Sequence, residues 1–170
     1  MVVAWVVMVM AAGAQVVSVT TQLDTNVLMV GQSTVMHVYA QVVPASRPLA
    51  DQIFSWYVDV VNTNGSVAAA NYGALLRPVS DKDPMISSNG FNSGANRQGI
   101  YDTFLNLPGA GVNSAVELLR IAVTGEAVGQ SRLGVRARSG QPTLSQDFIV
   151  APKDGGEFLS GGNTAGPSPT

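Results

Sequence analysis

Residues Ser33–Val43, STVMHVYAQVV, decide the fold class of this 170-residue chain. Apolar side chains occupy every second position from Met36 to Val42, and His37 and Tyr39 stand between them. In an extended chain, alternate side chains point to opposite faces. The pattern therefore predicts a β-strand with one face on a core and the other face in water.

The stretch Gln52–Val61, QIFSWYVDVV, repeats this alternation. It predicts a second half-buried strand, followed by a turn at the Asn64-Gly65 pair. The inward side chains are predicted to be Phe54, Trp56, Val58 and Val60, and the outward ones Ser55, Tyr57 and Asp59.

Further strands are predicted where β-branched and apolar residues lie between Gly, Pro or Asn. They are Val16–Leu23, Gly99–Leu105, Val116–Thr124, Ser131–Arg138 and Leu144–Val150. A helix is predicted only briefly, within Val67–Leu76. About seven to nine short strands with this spacing are typical of an all-β fold, and we predict a β-sandwich of the jelly-roll type.

The alternation also predicts one core between the two sheets, built from the inward side chains of different strands. Its predicted members are Met36, Val38, Phe54, Trp56, Val58, Leu119, Ile121, Leu133 and Val135.

Residues Pro78–Gly99 are predicted to form one long irregular loop. The run SDKDPMISSNGFNSGANRQG holds few apolar residues and many turn formers. A loop of this length in a compact domain is usually functional or mobile. We expect it at the surface, because its polar backbone needs water or partners.

The two ends differ from the middle and divide the chain into an apolar leader (1–14), a β-sandwich domain (15–152) and a Gly/Ser/Pro-rich tail (153–170). The leader, MVVAWVVMVMAAGA, has the length of a signal-peptide apolar region and ends in a small-x-small cleavage pattern, although a basic start is missing. It is too short to cross a bilayer, which takes about 20 apolar residues. The leader therefore predicts export to a secreted, extracellular location and no membrane span in the mature chain.

A leader that stays on the mature chain predicts a different role. Its residues are apolar at nearly every position, so a strand made of them would be buried on both faces. We expect such a strand to pair with or insert into another subunit, and the alternative is an ordinary strand of the domain. The assembly candidates are Val2, Val3, Trp5, Val6, Val7 and Met8.

Composition limits the function classes. The chain has no cysteine and one histidine, 12% of its residues are charged, and its net charge is −2. It offers no disulfide framework, no thiolate metal site and no electrostatic footprint for nucleic acid or an anionic membrane. Because a G-x-S-x-G element is absent and the carboxylates show no paired spacing, we predict that the chain is not an enzyme.

Two sets of outward side chains are candidate ligand-binding residues. Tyr39 and Tyr57, predicted on neighbouring strands, are placed to stack on a sugar, although tyrosines half-buried beneath a loop show the same pattern. Arg132, Arg136 and Arg138 alternate along one predicted strand and form a row suited to carboxylates or sulfated sugars. A charged edge that protects the sheet is the alternative explanation of the row.

Asp81 and Asp83 are the candidate metal ligands. With the amide-rich run up to Asn92, they offer the oxygen ligands that calcium takes in sets of about six to eight. The spacing lacks the order of an EF-hand loop, and a solvated turn capped by Asp is the alternative. No other cofactor is predicted.

Three segments carry a family resemblance. They are VSVTTQLDTNVLMVGQSTVMHVYAQV (17–42), IFSWYVDV (53–60) and AVELLRIAVTGEAVGQSRLGVRAR (115–138). The first resembles the opening two strands, the second the following strand and the third the closing hairpin of cohesin-like and carbohydrate-binding-like β-sandwiches of bacterial extracellular proteins. The resemblance implies a jelly-roll-like sandwich, export and a role in cell-surface or matrix assembly through docking. No dockerin-recognition motif is matched residue by residue, and Pro78–Gly99 is not part of the pattern.

Two functions follow from these features. The first is a secreted, non-catalytic structural protein, a subunit of an extracellular filament or surface layer that contacts copies of itself. The alternative is a monomeric cohesin-like binding module for carbohydrate or for another extracellular protein. The fate of residues 1–14 separates the two, because assembly through them requires that they stay on the mature chain.

Overall fold

The computed structural model describes residues 17–42, 51–78, 87–103, 115–137, 148–152 and 159–161. Within these ranges the chain forms ten strands and one short 3-10 helix. The strands are β1 Val17–Leu23, β2 Ser33–Val42, β3 Asp51–Asn62, β4 Ala68–Ala70, β5 Ser88–Ser93, β6 Asn96–Thr103, β7 Val116–Gly125, β8 Leu133–Ala137, β9 Phe148–Pro152 and β10 Leu159–Gly161. Each of the seven predicted strands overlaps one of them.

The strands form two antiparallel sheets. The four-stranded sheet has the order β1-β2-β7-β4. The six-stranded sheet has the order β10-β9-β3-β6-β5, and β8 also pairs with β3. Strand β3 is 12 residues long, so β9 pairs with its first half and β8 with its second half. The predicted fold class, an all-β sandwich of the jelly-roll type, is confirmed.

The core lies between the two sheets and contains the predicted side chains. Trp56 is 1% exposed, and Ile53 is buried beside it in the same cluster. Ile53 and Trp56 are three positions apart, a spacing that would place them on opposite faces of a regular strand. The β3–β9 pairing shifts between Ile53 and Ser55, and this bulge lets both side chains face the core. The side chain of Phe54 lies outside the described residues. The predicted members that are buried are Met36, Val38, Trp56, Val58, Leu119, Ile121, Leu133 and Val135.

The outer side of β3 departs from the prediction. Ser55, Tyr57 and Asp59 point away from the core, but they are buried, with only 4% of Tyr57 and 3% of Asp59 exposed. Tyr101 lies directly opposite Tyr57, and the two rings meet edge to face with their centroids 6.0 Å apart. Strand β3 is therefore buried on both faces. Polar–apolar alternation alone had predicted one wet face.

The prediction of one long irregular loop over Pro78–Gly99 is wrong in its second half. Strands β5 and β6 form a hairpin in which Ser93 pairs with Asn96 across a two-residue turn. Gly94 in this turn has a φ of 62°, a conformation that favours glycine. Strand β5 is the edge of the sheet and has Phe91 as its one large apolar residue, so it lacks the apolar alternation by which the other strands were found. Residues 79–86 lie outside the described residues.

The predicted helix is reduced to a single turn. Within Val67–Leu76 the chain forms β4 and then the 3-10 helix Tyr72–Ala74. The Asn71 side-chain oxygen accepts hydrogen bonds from the N–H groups of residues 73 and 74 and caps this turn.

Near its end the chain adds one more strand to the six-stranded sheet. Strand β10 pairs with β9, so the sheet extends into the stretch predicted as a tail, residues 153–170. The leader, residues 1–14, and the other residues of the tail lie outside the described residues. The three segment boundaries remain predictions.

Candidate functional site

The outer face of the six-stranded sheet brings aromatic and charged side chains together. Tyr57 of β3 is directly opposite Tyr101 of β6, and Asp59 of β3 is directly opposite Arg136 of β8. Phe91 of β5 lies beyond β6 on the same face, beside the backbone of residue 99. We call this surface the aromatic face, and its members are Tyr57, Asp59, Phe91, Gly99, Tyr101 and Arg136.

Asp59 anchors the charged part of the aromatic face. Its Oδ1 accepts a hydrogen bond from the Gly99 N–H at 2.9 Å, and its Oδ2 lies 3.2 Å from Arg136 Nε and 3.1 Å from Arg136 Nη2. Burying a carboxylate is costly unless its charge is paired and hydrogen-bonded, as it is here. The Arg136 side chain is still 62% exposed. A buried carboxylate therefore holds a guanidinium in one place at the surface.

Gly99 keeps the centre of the aromatic face open. Its φ of 74° lies in the left-handed region that favours glycine. A methyl group on Gly99 would lie 3.5 Å from the Tyr57 hydroxyl oxygen and 3.6 Å from the Phe91 ring. The Phe91 residue is 54% exposed. An exposed phenyl ring, a buried tyrosine and a fixed arginine are the residue types enriched in protein–protein interfaces.

The outer face of the four-stranded sheet is polar, and its side chains bond to one another. His37 lies between two carboxylates, with Nδ1 2.5 Å from Glu117 Oε1 and Nε2 3.0 Å from Asp24 Oδ1. Both contacts are hydrogen bonds at once only when both ring nitrogens carry a proton. Arg120 donates to both oxygens of Glu117 and thereby holds the pKa of that carboxyl below its ordinary value. We call this surface the polar face, and its members are Asp24, His37, Tyr39, Glu117 and Arg120.

Tyr39 and Tyr57 do not form the predicted pair. Strands β2 and β3 belong to different sheets, so the two tyrosines lie on opposite outer faces of the sandwich. The Tyr39 ring stacks on His37 with the centroids 6.1 Å apart, and Tyr57 is buried. A joint sugar-stacking platform is therefore excluded, and sugar stacking by Tyr39 alone remains a prediction.

The predicted arginine row is only partly present in the described residues. Arg136 lies within β8, and Arg132 lies just before the strand and is exposed. Arg138 lies outside the described residues. Because Arg136 is paired with buried Asp59, it is not the uncommitted cation that the alternating pattern predicted.

The other predicted site residues lie outside the described residues, and their roles remain predictions. They are Asp81 and Asp83, the candidate calcium ligands, and the leader residues Val2, Val3, Trp5, Val6, Val7 and Met8. Among the residues that are described, no three His, Asp or Glu side chains are grouped so as to hold a metal ion. No helix in the same ranges is long and apolar enough to span a membrane.

Sequence reasoning missed Phe91, Gly99 and Tyr101 of the aromatic face. Phe91 fell in the predicted loop, where no strand was expected, and Gly99 stood at the boundary between that loop and the predicted strand Gly99–Leu105. The signal that would have found the hairpin is the Gly94-Ala95 pair, since glycine at the first position suits a two-residue hairpin turn. With that hairpin in place, Phe91 and Gly99 fall on adjoining strands.

The architecture is that of a cohesin-like β-sandwich. The chain matches CaCohA2 from Clostridium acetobutylicum with a TM-score of 0.54 and 15% identity, over 89% of this chain and 87% of that one. It matches the second type II cohesin module of the cellulosomal adaptor ScaA scaffoldin of Acetivibrio cellulolyticus with a TM-score of 0.53 and 12% identity, over 91% and 95%.

A chain of a type II cohesin–X-dockerin complex of Acetivibrio cellulolyticus matches with a TM-score of 0.51 and 11% identity, over 87% of this chain and 94% of that one. No protein-family model and no curated protein sequence matches the chain. At these identities the likeness shows a shared fold, and the resemblance noted in the sequence is confirmed at that level.

Proposed function

We propose that this chain is a non-catalytic binding module that docks a partner protein on its aromatic face. The observation that carries the proposal is the arrangement of Phe91, Gly99 and Arg136. The exposed ring of Phe91 lies beside Gly99, which has no side chain. Buried Asp59 holds the Arg136 guanidinium on the same face. Anchoring aromatic and arginine residues in fixed positions reduces the entropy lost on binding.

Catalysis is not proposed, because His37 and Asp59, the titratable groups at the centres of the two described faces, are engaged in structural contacts. Both nitrogens of His37 face carboxylates on the polar face. Asp59 is hydrogen-bonded to the Gly99 N–H and to Arg136. A general acid or base needs a proton-accepting or proton-donating atom directed at a substrate, and these contacts occupy the atoms concerned.

The partner we propose is an extracellular protein that carries a dockerin. This is supported by the fold, since one similar structure is a type II cohesin–X-dockerin complex and another belongs to a cellulosomal adaptor scaffoldin. A secreted, extracellular location is proposed with it, from the signal-peptide pattern of residues 1–14. Removal of those residues on export would leave the docking function intact and would exclude an assembly role for them. Carbohydrate binding has weaker support, because only Tyr39 of the predicted tyrosine pair has an accessible ring.

The test is a titration of dockerin modules from the source organism into the purified chain, followed by isothermal calorimetry on Phe91→Ala, Arg136→Ala and one control variant. We expect Phe91→Ala to weaken binding at least about 30-fold, because truncating an interface anchor typically costs about 2 kcal/mol or more. Thr20→Ala is the matched control, since Thr20 is exposed on β1 in the other sheet, and its affinity should stay within about twofold of the original.

Two outcomes would count against the proposal. One is that no dockerin module binds the folded chain. The other is that a dockerin binds and Phe91→Ala and Arg136→Ala both retain the original affinity, which would place the docking surface elsewhere on the sandwich. Circular dichroism of each variant checks that a loss of binding is not a loss of fold.

Assembly into a filament or surface layer is a second candidate function. It is favoured by exposed apolar side chains on the β1–β2 and β7–β8 loops and by the apolar residues 1–14.

A further inference from the structure

Two loops at one end of the sandwich expose apolar side chains. The loop between β1 and β2 carries Val27, Met29 and Val30, which are 79%, 69% and 60% exposed, and the loop between β7 and β8 carries Val128, which is 95% exposed. We call these four residues the apolar tip. A group of exposed aliphatic side chains on one end of a soluble domain marks an interaction surface.

The first of these loops is held in place by hydrogen bonds to β7. The Gly31 N–H donates to the Gly125 carbonyl at 2.8 Å, and the Gly125 N–H donates to the Gln32 carbonyl at 2.9 Å. The Met29 N–H donates to the Gln32 side chain at 3.1 Å. These contacts fix the backbone on both sides of Met29 and Val30, so the fold itself holds their side chains in water.

Two adjoining cavities open at the same end. The smaller, about 160 Å³, lies between the two loops and is lined by Leu23, Leu28, Val123, Ala127 and Leu133 among others. The larger, about 550 Å³, lies at the end of β1 and shares Leu23 and Leu133 with the first. A cavity of about 150 Å³ is large enough for a group the size of benzene. The smaller cavity therefore has room for one side chain, and its lining combines aliphatic residues with polar ones such as Thr25, Asn26 and Gln130.

We infer that the apolar tip and its cavities receive the leader, residues 1–14, of a second copy of this chain. The leader is apolar and uncharged throughout and contains Trp5 among valines and methionines. The two loops carry Asp24, Glu126 and Arg132 as their charged residues, so they do not attract an anionic membrane surface. An uncharged apolar segment suits this end better than a lipid headgroup does.

The direction of β1 determines how the copies join. The chain enters β1 at Val17 and reaches the apolar tip only after Leu23, about 20 Å further along at roughly 3.3 Å per residue. The chain enters the sandwich at the Val17 end, and the site that receives the leader lies at the other end. A contact between opposite ends is heterologous, so it continues from copy to copy as a ring or as an open filament.

The test is sedimentation velocity of the full chain, with residue Met1 verified by intact mass, over a concentration series. We expect the full chain to associate and a variant lacking residues 1–14 to be monomeric. Val128→Asp and Met29→Asp in the full chain should each weaken association at least tenfold. Leu76→Asp is the matched control, an exposed apolar residue that pairs with Arg120 on β7 outside the apolar tip, and it should associate like the original chain.

A mixing experiment separates exchange between copies from folding back within one copy. The chain lacking residues 1–14 keeps the receiving end, and full-length Val128→Asp keeps the leader, so together they should form a one-to-one complex that grows no further. The inference is overturned by a full chain that stays monomeric, by a mature chain that starts at Gln15, or by no complex on mixing. Dockerin binding does not depend on this contact, so failure here leaves the proposed docking function intact.

Discussion

Strands β2 and β3 show the same alternation in the sequence and differ on their outer sides. Met36 on β2 and Trp56 on β3 are equally buried in the core. On the outer sides, Tyr39 of β2 is partly exposed, whereas Tyr57 of β3 is 4% exposed. The alternation thus determines which side of a strand meets the core, but it does not determine whether the other side is wet.

Cross-strand neighbours account for the difference. On β2, His37 pairs with Gln22 of β1 and Arg120 of β7, long polar side chains whose ends reach water. On β3, Tyr57 pairs with Tyr101, a second aromatic ring that covers it. Directly opposite residues are the unit of sheet packing, so the outer environment of a strand depends on partners far away in the sequence.

The largest expected effect concerns the core side of β2 and β3, where both strands are buried. Trp56→Ala should lower the free energy of unfolding by about 3–5 kcal/mol, and Met36→Ala by about 2–5 kcal/mol, because each leaves a cavity in the core. Within the described residues the Trp56 indole N–H has no hydrogen-bond partner. Trp56→Phe, which removes that N–H and keeps a ring, should therefore cost much less. Urea unfolding followed by circular dichroism measures all three, and a cost below about 1 kcal/mol for Trp56→Ala would contradict the core assignment.

A smaller effect concerns the outer sides of β2 and β3, which differ in exposure to water. Asp59→Asn should cost about 1–3 kcal/mol, because the amide cannot pair with Arg136 as a charge while accepting from the Gly99 N–H. The matched change on β2, His37→Gln, should cost at most about 1 kcal/mol, since the glutamine amide can still donate a hydrogen bond to a carboxylate and one net hydrogen bond contributes about that much. The same unfolding curves compare the two variants. Equal costs would mean that the outer sides of β2 and β3 do not differ in energy.

The strands that are buried on one face could be predicted from the sequence, because apolar residues recur in them at every second position. Met36 and Val38 were placed correctly because every second residue of β2 is apolar. Strand β5 was missed because an edge strand exposed on both faces has no apolar period, and its Gly94 turn is a weaker signal. Tyr57 was placed correctly on the outward side of β3, but its nearly complete burial was not predicted, since its cover, Tyr101, lies 44 positions away in the chain.

The candidate site was predicted less well than the fold. Arg136 was identified from its alternation with Arg132, but its partner Asp59 belongs to another strand and no local pattern links the two. Gly99 and Phe91 become neighbours only when β5 pairs with β6. A site built across four strands depends on the register of each pair, and register is set by long-range packing.

The smallest expected effect concerns the polar face, where the charges are near the surface and respond to pH. Arg120 lies 2.9 Å and 2.5 Å from the two oxygens of Glu117 and lowers the pKa of that carboxyl from its ordinary value of 4.5. A carboxyl whose pKa is lower in the folded state than in the unfolded state adds stability above the unfolded value. This contribution is lost as the pH falls from that value through the lowered one.

The free energy of unfolding should therefore fall more steeply below about pH 5 in the original chain than in Glu117→Gln, which has no carboxyl to protonate. At pH 7 the variant should be less stable by at most about 1 kcal/mol, because the Arg120 side chain is 44% exposed and solvent screens the pair. The difference should shrink as the pH falls below 4.5, the ordinary pKa of the carboxyl, and should also shrink in 1 M salt, where screening acts within about 3 Å. Glu126→Gln, at an exposed position just after β7, is the control and should follow the original chain at every pH.

If Glu117→Gln and the original chain lose stability in parallel between pH 7 and pH 3, the Glu117–Arg120 contact contributes nothing to the fold, and the polar face is a solvated surface without a stabilising network.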